Sequence, residues 1–312
     1  MIKNRNIALD AGIDPSKIRG FNVQGDTYYV VTATNPILQF LIPRVGPDYL
    51  KATITLAVAA ASAYDTIYIC GTENQESSAT LTNDFDEAVT IPATKMGLKI
   101  IGLGNSPEGI AWNADADETI LTVNARDCYV TNFRLRPDGA TTGRGIKVNT
   151  NAGMTLNAMG FTVENVIFRS TVTTALAGID IDGTNDVTIK DCIFTSVLTG
   201  IVSTSPGHSV QYRTIIENNL FDDKCTNAID IDCRSGLIKD NAIGVGLTLM
   251  IGTDKYSVGK ENIVTGHNLL VASAYETNCS GYSTDNWLGN TCSDIGSSVV
   301  SADGTVFGYP QA

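Results

Sequence analysis

The apolar positions of this chain change period twice within one short stretch. In LKATITLAVAAASA, residues Leu50, Ile54, Ala57, Val58 and Ala61 fall at i, i+4, i+7, i+8 and i+11, the stripe of an amphipathic helix. The spacing predicts a helix of about four turns over 48–62, begun after Pro47 and Asp48, because proline suits a first turn where its missing N–H costs nothing. Asp65-Thr-Ile-Tyr-Ile-Cys then alternates with period two and meets Gly71, as a strand ending in a turn does. A helix followed at once by a strand would cover the open end of a stacked parallel sheet, whose bare edge otherwise invites pairing. Repeating strands should therefore follow.

They do. VTNFRL (130–135), VENVIF (163–168), IKDCIF (189–194), IENNLF (216–221) and IKDNAI (238–243) begin 33, 26, 27 and 22 residues apart. Superposing them stacks Asn132, Asn165, Asp191, Asn218 and Asp240, residue types that tolerate left-handed torsions at a sharp bend. Amides stacked there can also hydrogen-bond from one coil to the next. A second motif recurs as GIKV (145–148), GIDI (178–181), GIVS (200–203) and AIDI (228–231). Two short strands per unit, joined by Gly, Thr and Asn turns, describe the coils of a parallel β-helix with aliphatic and Phe stacks inside. GLKIIGLGN (97–105) and ETILTVNARDCYV (118–130) read as earlier coils, VGKENIV (258–264) and NLLVASA (268–274) as later ones. The expectation is about eight coils between Thr66 and Ala274.

The two ends differ from this pattern. Residues 1–46 contain an alternating TYYVVTA (27–33) and FLIPRVGP, outside the repeat. A lone strand cannot bury both faces in so small a segment, so it should pack on the β-helix, on a neighbouring subunit or on a shell. Residues 1–46 are expected to form an attachment arm, removal of which leaves a folded β-helix that no longer joins its assembly. Residues 47–275 form the capping helix and coils. Residues 276–312, rich in Ser, Gly, Asn and Thr with VFGY at 306–309, should close the last coil.

Composition narrows the function. The chain has 312 residues, 21 basic against 33 acidic, and a formal charge of −12, which repels phosphate backbones and argues against nucleic acid as a partner. No apolar window reaches the roughly 20 residues of a membrane span, and the charged N-terminus MIKNRNIALD has no apolar core of a secretory signal. Seven scattered cysteines without a CxxC lack zinc spacing and suggest buried free thiols. Cys279 and Cys292 are the one pair whose bonding is left open.

TITLAVAAA, YDTIYICGTENQE and LKIIGLGN, in that order, resemble the pectate-lyase-like right-handed parallel β-helix superfamily. There a TI-x-x-AV-x-x-A helix caps the first coil, a DTIYI-type strand follows, and an I-x-GLGN coil comes next. The resemblance covers roughly 49–275 and implies an all-β, right-handed, single-stranded parallel β-helix with an N-terminal capping helix and a short non-repeat arm. The fold carries lyases, hydrolases, adhesins and virion proteins alike. The arm and the tail NWLGNTCSDIGSSVVSADGTVFG (286–308) resemble β-helix proteins encoded beside the major capsid genes of tailed bacteriophages. That resemblance implies a capsid-decorating protein on the virion surface, made in the host cytoplasm, bound to the major capsid protein through 1–46, and homotrimeric.

An enzyme is the competing reading. A polygalacturonase-like hydrolase would carry NTD, DD, GHG and RIK in order. This chain offers Thr184-Asn185-Asp186, Pro206-Gly207-His208-Ser209 and then Asp222-Asp223, in the wrong order, with the GHG broken and no RIK. A lyase would need carboxylates for calcium and an Arg or Lys base. Asp180, Asp182, Asp230 and Asp232, in GIDID and AIDID, could align on one outer face with Arg234 just beyond. Alternation of apolar and acidic residues is equally what a half-buried strand gives. Trp112 in GIAWNADADE is a candidate sugar platform, and a loop packing onto the coil explains it equally. The expectation is no catalytic set, no cofactor and no metal, with Asp180, Asp182, Asp222, Asp223, Asp230, Asp232 and Arg234 as the alternative site.

Overall fold

The computed structural model describes residues 25–71, 84–139, 142–150, 157–170, 175–204, 211–244, 247–253, 255, 261–269, 279–280, 285–288, 290–292 and 305–307. The chain is a parallel β-helix. Among the described residues one sheet has nineteen strands and a second has eight, and consecutive coils pair in parallel in both. The eight-stranded sheet takes one strand per coil, from Val89–Ile91 through Arg144–Asn149, Ala175–Asp182 and Asn227–Asp230 to Cys279–Ser280. All four second-motif copies lie in it, in sequence order.

Register follows the repeat. Val130 pairs with Val163, Val163 with Ile189, Ile189 with Ile216 and Ile216 with Ile238, and all five are buried. Opposite them Ile146, Ile179, Ile201, Ile229 and Ile251 form a second buried column. Burying each aliphatic side chain is worth about 1.5–3 kcal/mol, so the repeat supplies stability one coil at a time.

The stacked Asn/Asp position bends as expected. Asn132, Asn165, Asp191, Asn218 and Asp240 all have φ between 53° and 64°, the left-handed region these side chains enter most readily. Asn132 Nδ2 donates to Gly102 O (2.8 Å), Asn165 Nδ2 to Asn132 Oδ1 (3.1 Å), and Asn218 Nδ2 to Asp191 Oδ1. A second left-handed corner, which the repeat does not announce, runs through Asp127, Asp186, Arg213, Ser235 and Glu261.

The final Phe of the first motif and the first Gly of the second belong together. Phe168, Phe194 and Phe221 stack with centroids 4.8 Å apart and planes within 6°. A Cβ on Gly178 would stand 2.6 Å from the Phe194 ring, and one on Gly200 2.5 Å from Phe221. Glycine is required where the next coil carries a ring, and the fourth copy can use Ala228 because its neighbouring coil ends in Ile243.

Beside this stack, Asn219 Oδ1 accepts from Cys192 N, Asn241 Oδ1 from Asn219 N and Nδ2, and His267 Nδ1 from Asn241 N (2.9, 2.9, 2.9 and 3.1 Å). All three polar side chains are buried. They replace the apolar Val166 of an earlier coil with a polar ladder inside the core.

Three expectations are corrected. The capping helix is Ile54–Ala60, not 48–62. Thr53 Oγ1 accepts from Leu56 N, the Glu87 carboxylate accepts from Ile54 N and Thr55 N (2.7 and 2.9 Å), and Leu50–Lys51 is taken into a short strand. Two caps acting at one point override the longer apolar stripe. The buried face (Ile54, Ala57, Val58, Ala61) is the predicted one and covers this chain's own first coil.

The strand in the arm, Thr27–Val31, is part of the stack. It pairs in parallel with Thr66–Cys70, and Tyr28 and Val30 lie in the core. Removing 1–46 entire would open that core, contrary to expectation. At the other end the coils continue past 275: Asn286–Leu288 and Asn290–Cys292 extend the long sheet, and Thr305–Phe307 pairs antiparallel with the latter.

Candidate functional site

Asp180 lies between Ile179 and Ile181 in the strand Ala175–Asp182, which packs both isoleucines inward, so its side chain starts toward the outer face, as predicted. Its register partners are Lys147 on one side and Val202 on the other, and Val202 in turn pairs with Asp230. The two GIDID/AIDID faces therefore align in one column but stand two coils apart, with Val202 between them, roughly 9–10 Å at the usual strand spacing.

Each carboxylate has its own partner. Asp180 is fully buried; Oδ2 accepts from Arg144 Nε (2.8 Å) and Thr204 Oγ1 (2.6 Å). Desolvation pushes its carboxyl above the usual range, against the lowering effect of Thr204 and Arg144. Lys147 Nζ lies 3.8 Å from Asp182 Oδ2, and Lys255 Nζ 2.5 Å from Asp230 Oδ2. Asp232 is buried, its N–H donating to Ser203 Oγ (3.4 Å) and its C=O accepting from Gln211 N (3.3 Å). Arg234 sits in a two-residue strand paired with Gln211–Tyr212, and its carbonyl accepts from Arg213 N.

Asp222 and Asp223 lie in the turn at the other end of the strand Asn227–Asp230. Burial would raise the Asp222 carboxyl, but hydrogen bonds from Asp223, Thr195 Oγ1 (2.8 Å) and Lys224 N (3.2 Å) outweigh it and lower it. Its hydrogen bond and charge raise that of Asp223, which is fully exposed. The alternative site is thus divided: three carboxylates (Asp180, Asp182 and Asp230) each with a cation beside it on the outer face, a buried Asp232 and a half-buried Arg234 next to them, and a dyad at the far corner. General acid and base must reach one substrate from one cleft, and these residues do not face a common point.

The remaining candidates are structural. Asn185 Oδ1 accepts from Tyr212 N (2.9 Å), and Asp186 pairs with Arg213 (2.6 Å). Trp112 is buried, donates Nε1–H to Glu87 O (2.8 Å) and packs edge-on against Phe133; it is no platform. Pro206-Gly207-His208-Ser209 lies outside the described residues. Cys279 is buried, and burial pushes the Cys128 and Cys192 thiols up to about 12. Among the described residues, no group of three or more His, Cys, Asp or Glu could hold a metal, and no helix is long and apolar enough to cross a membrane.

Sequence reasoning missed the cations that accompany the acids. The signal was present: setting GIKV under GIDI places Lys147 beside Asp180.

It also missed what the arm displays. Asn35 is buried and pins the segment, donating Nδ2–H to Cys70 O (3.1 Å) and Gly71 O (2.8 Å) while Oδ1 accepts from Ile37 N (3.0 Å). The short helix Leu38–Leu41 that follows buries no side chain. Phe40 is 57% and Ile42 56% exposed, with Ile37 beside them, over a shallow depression lined by Ala33, Thr34, Pro36 and Leu38. An exposed cluster of large apolar side chains on a pinned segment marks an interaction surface more than a fold requirement.

No family model matches the chain, and no curated protein matches it. Among solved structures it is similar to a PL6 family alginate lyase, in a point-mutant form, with a TM-score of 0.31 and 9% identity over 88% of this chain and 52% of that one. The chain spans about half the length of that neighbour, and nothing about activity is transferred from it.

Proposed function

We propose that the protein is a structural component of a bacteriophage particle, a capsid-decorating β-helix held to the major capsid protein through its N-terminal 46 residues. The observation that carries this reading is the apolar cluster Ile37, Phe40 and Ile42, presented to solvent by a segment that Asn35 fixes to the first coils. Covering such side chains gains about 25 cal/mol per Å² of apolar surface, and nothing in this chain's described residues covers them. The neutralised carboxylates of the outer face fit a scaffold better than a catalytic cleft.

The test is quantitative mass spectrometry on purified particles, taking the ratio of this protein to the major capsid protein. A ratio comparable to the capsid subunit supports shell decoration. Absence from particles refutes it.

A second reading, cleavage of an acidic polysaccharide, has one observation in its favour: Arg144, Lys147 and Lys255 line the same outer face as Asp180, Asp182 and Asp230. Carboxylates of a substrate would have to displace those of the protein. Release of unsaturated or reducing ends from acidic polysaccharides, lost in Lys147→Ala, would establish this reading instead.

A further inference from the structure

The strands that precede the Asn/Asp turn each send two side chains outward, and these form two columns along the long sheet. One column reads Thr162, Thr188, Ile215, Leu237, Ile263 and the other Glu164, Lys190, Glu217, Lys239, Thr265, in parallel register throughout. The second column alternates in sign at every coil. Lys190 lies 3.2 Å from Glu164, and Lys239 2.9 Å from Glu217, so the four charges sum to zero on a chain whose net charge is −12. The neighbouring column turns from threonine to aliphatic toward the C-terminus, where Ile263 is exposed; around the Asn turn, Ile193 and Leu220 are exposed too.

We infer that this face docks a second copy of the chain, running antiparallel about a two-fold axis that passes between the levels of Ile215 and Leu237. The inference is independent of the proposed attachment to a particle. Three features select this partner and this direction. Elsewhere the acidic surface repels its own copy, whereas the four charges of this column cancel, with exposed Asp191 and Asp240 at the turn beside it. A copy laid parallel, with the two-fold running along this column, sets Glu217 against Glu217 and Lys239 against Lys239, which disfavours that parallel dimer. An antiparallel copy sets Glu217 against Lys239 and Ile215 against Leu237 of the second copy, twice over by symmetry, as an isologous interface demands.

A slip of one strand, roughly 5 Å, returns like charges to opposition. The alternation thus fixes register as well as direction, a repulsive element acting against the wrong pairings. About that axis four coils by two columns overlap, a contact below the usual size of specific interfaces, so the dimer is weak and forms in a concentration-dependent way.

The experiment uses the full chain in sedimentation velocity, from dilute to the highest soluble concentration. A monomer–dimer equilibrium is expected, and Leu237→Lys, on the outer face and away from the core, should shift it to monomer with an unchanged circular dichroism spectrum and melting temperature. Direction is read by cross-linking: Glu217→Cys and Lys239→Cys variants, mixed and mildly oxidised, should join one of each, with wild type as the blank for the native thiols. A wild-type chain monomeric at every concentration, a trimer, a dimer indifferent to Leu237→Lys, or self-cross-links within either single variant in place of the mixed one would each overturn the proposal.

Discussion

The coils from Val130 to Ile243 and the segment from Ala33 to Gly46 treat apolar side chains in opposite ways. In the coils every Val, Ile and Phe of the inward columns meets an equivalent residue above and below, and the large apolar side chains left exposed, Ile193 and Leu220, lie on the outer face. In the segment, Ile37, Phe40 and Ile42 face water while the polar Asn35 is the residue that is buried. The coils are stabilised by contacts among the described residues; the large apolar side chains of the segment find no cover among them. Structure and recognition are therefore separable here, and substitutions should sort accordingly.

The strongest test on the coil side is Asn241→Ala. It removes an acceptor serving Asn219 N and Nδ2 and a donor to Ile216 O, all buried. At about 1–3 kcal/mol for each group left unsatisfied, denaturant unfolding should show a loss on the order of 3–5 kcal/mol. A change under 1 kcal/mol would mean that water replaces the ladder.

Next in size is the pH dependence from His267. Burial lowers its pKa from 6.5 to about 4, opposed only in part by its backbone hydrogen bonds with Asn241 and Ile238 and by the charge of Asp240. The unfolded chain binds the proton more readily, so stability should fall as pH drops from 6.5 toward 4 and level off below. The full span is up to about 3 kcal/mol at 1.36 kcal/mol per unit. His267→Asn should flatten that part of a stability–pH profile.

Gly178→Ala drives a methyl into the Phe194 ring and should cost about 1–3 kcal/mol, the range for overpacking. Phe194→Leu in the same chain should recover part of it. A full loss without recovery would trace the effect to the nearby Gly200 carbonyl instead. Glu87→Ala uncaps the helix Ile54–Ala60 and should cost about 1 kcal/mol. On the other side of the comparison, Phe40→Asp with Ile42→Asp should leave the melting temperature within the small range of surface changes, about 0.5 kcal/mol.

How much of this was readable from the sequence depends on how local the cause is. The repeat, its left-handed Asn/Asp corner and the inward columns were legible because each coil states them again. The helix start was not, since Glu87 reaches it from the following coil. Trp112 was misjudged because a tryptophan in a polar stretch looks the same whether its indole meets solvent or Glu87 O. The acids of GIDID and AIDID aligned as the motif implied, yet their meaning changed once Arg144, Lys147 and Lys255 were seen beside them. The arm was divided in a way no pattern announced: Thr27–Val31 is a coil strand and Pro36–Ile42 is the display. TYYVV alternates just as the coil strands do, and its place in the stack depends on pairing with residues some forty positions later.

The central claim is that the apolar cluster of the arm, and not the outer faces of the coils, holds the protein to its assembly. The direct measurement is the copy number of the Phe40→Asp/Ile42→Asp variant relative to the major capsid protein in purified particles, beside wild type and Lys147→Ala. The account predicts that the variant folds normally and falls to background in particles while Lys147→Ala stays at the wild-type ratio. A folded variant that incorporates at the wild-type ratio would contradict it.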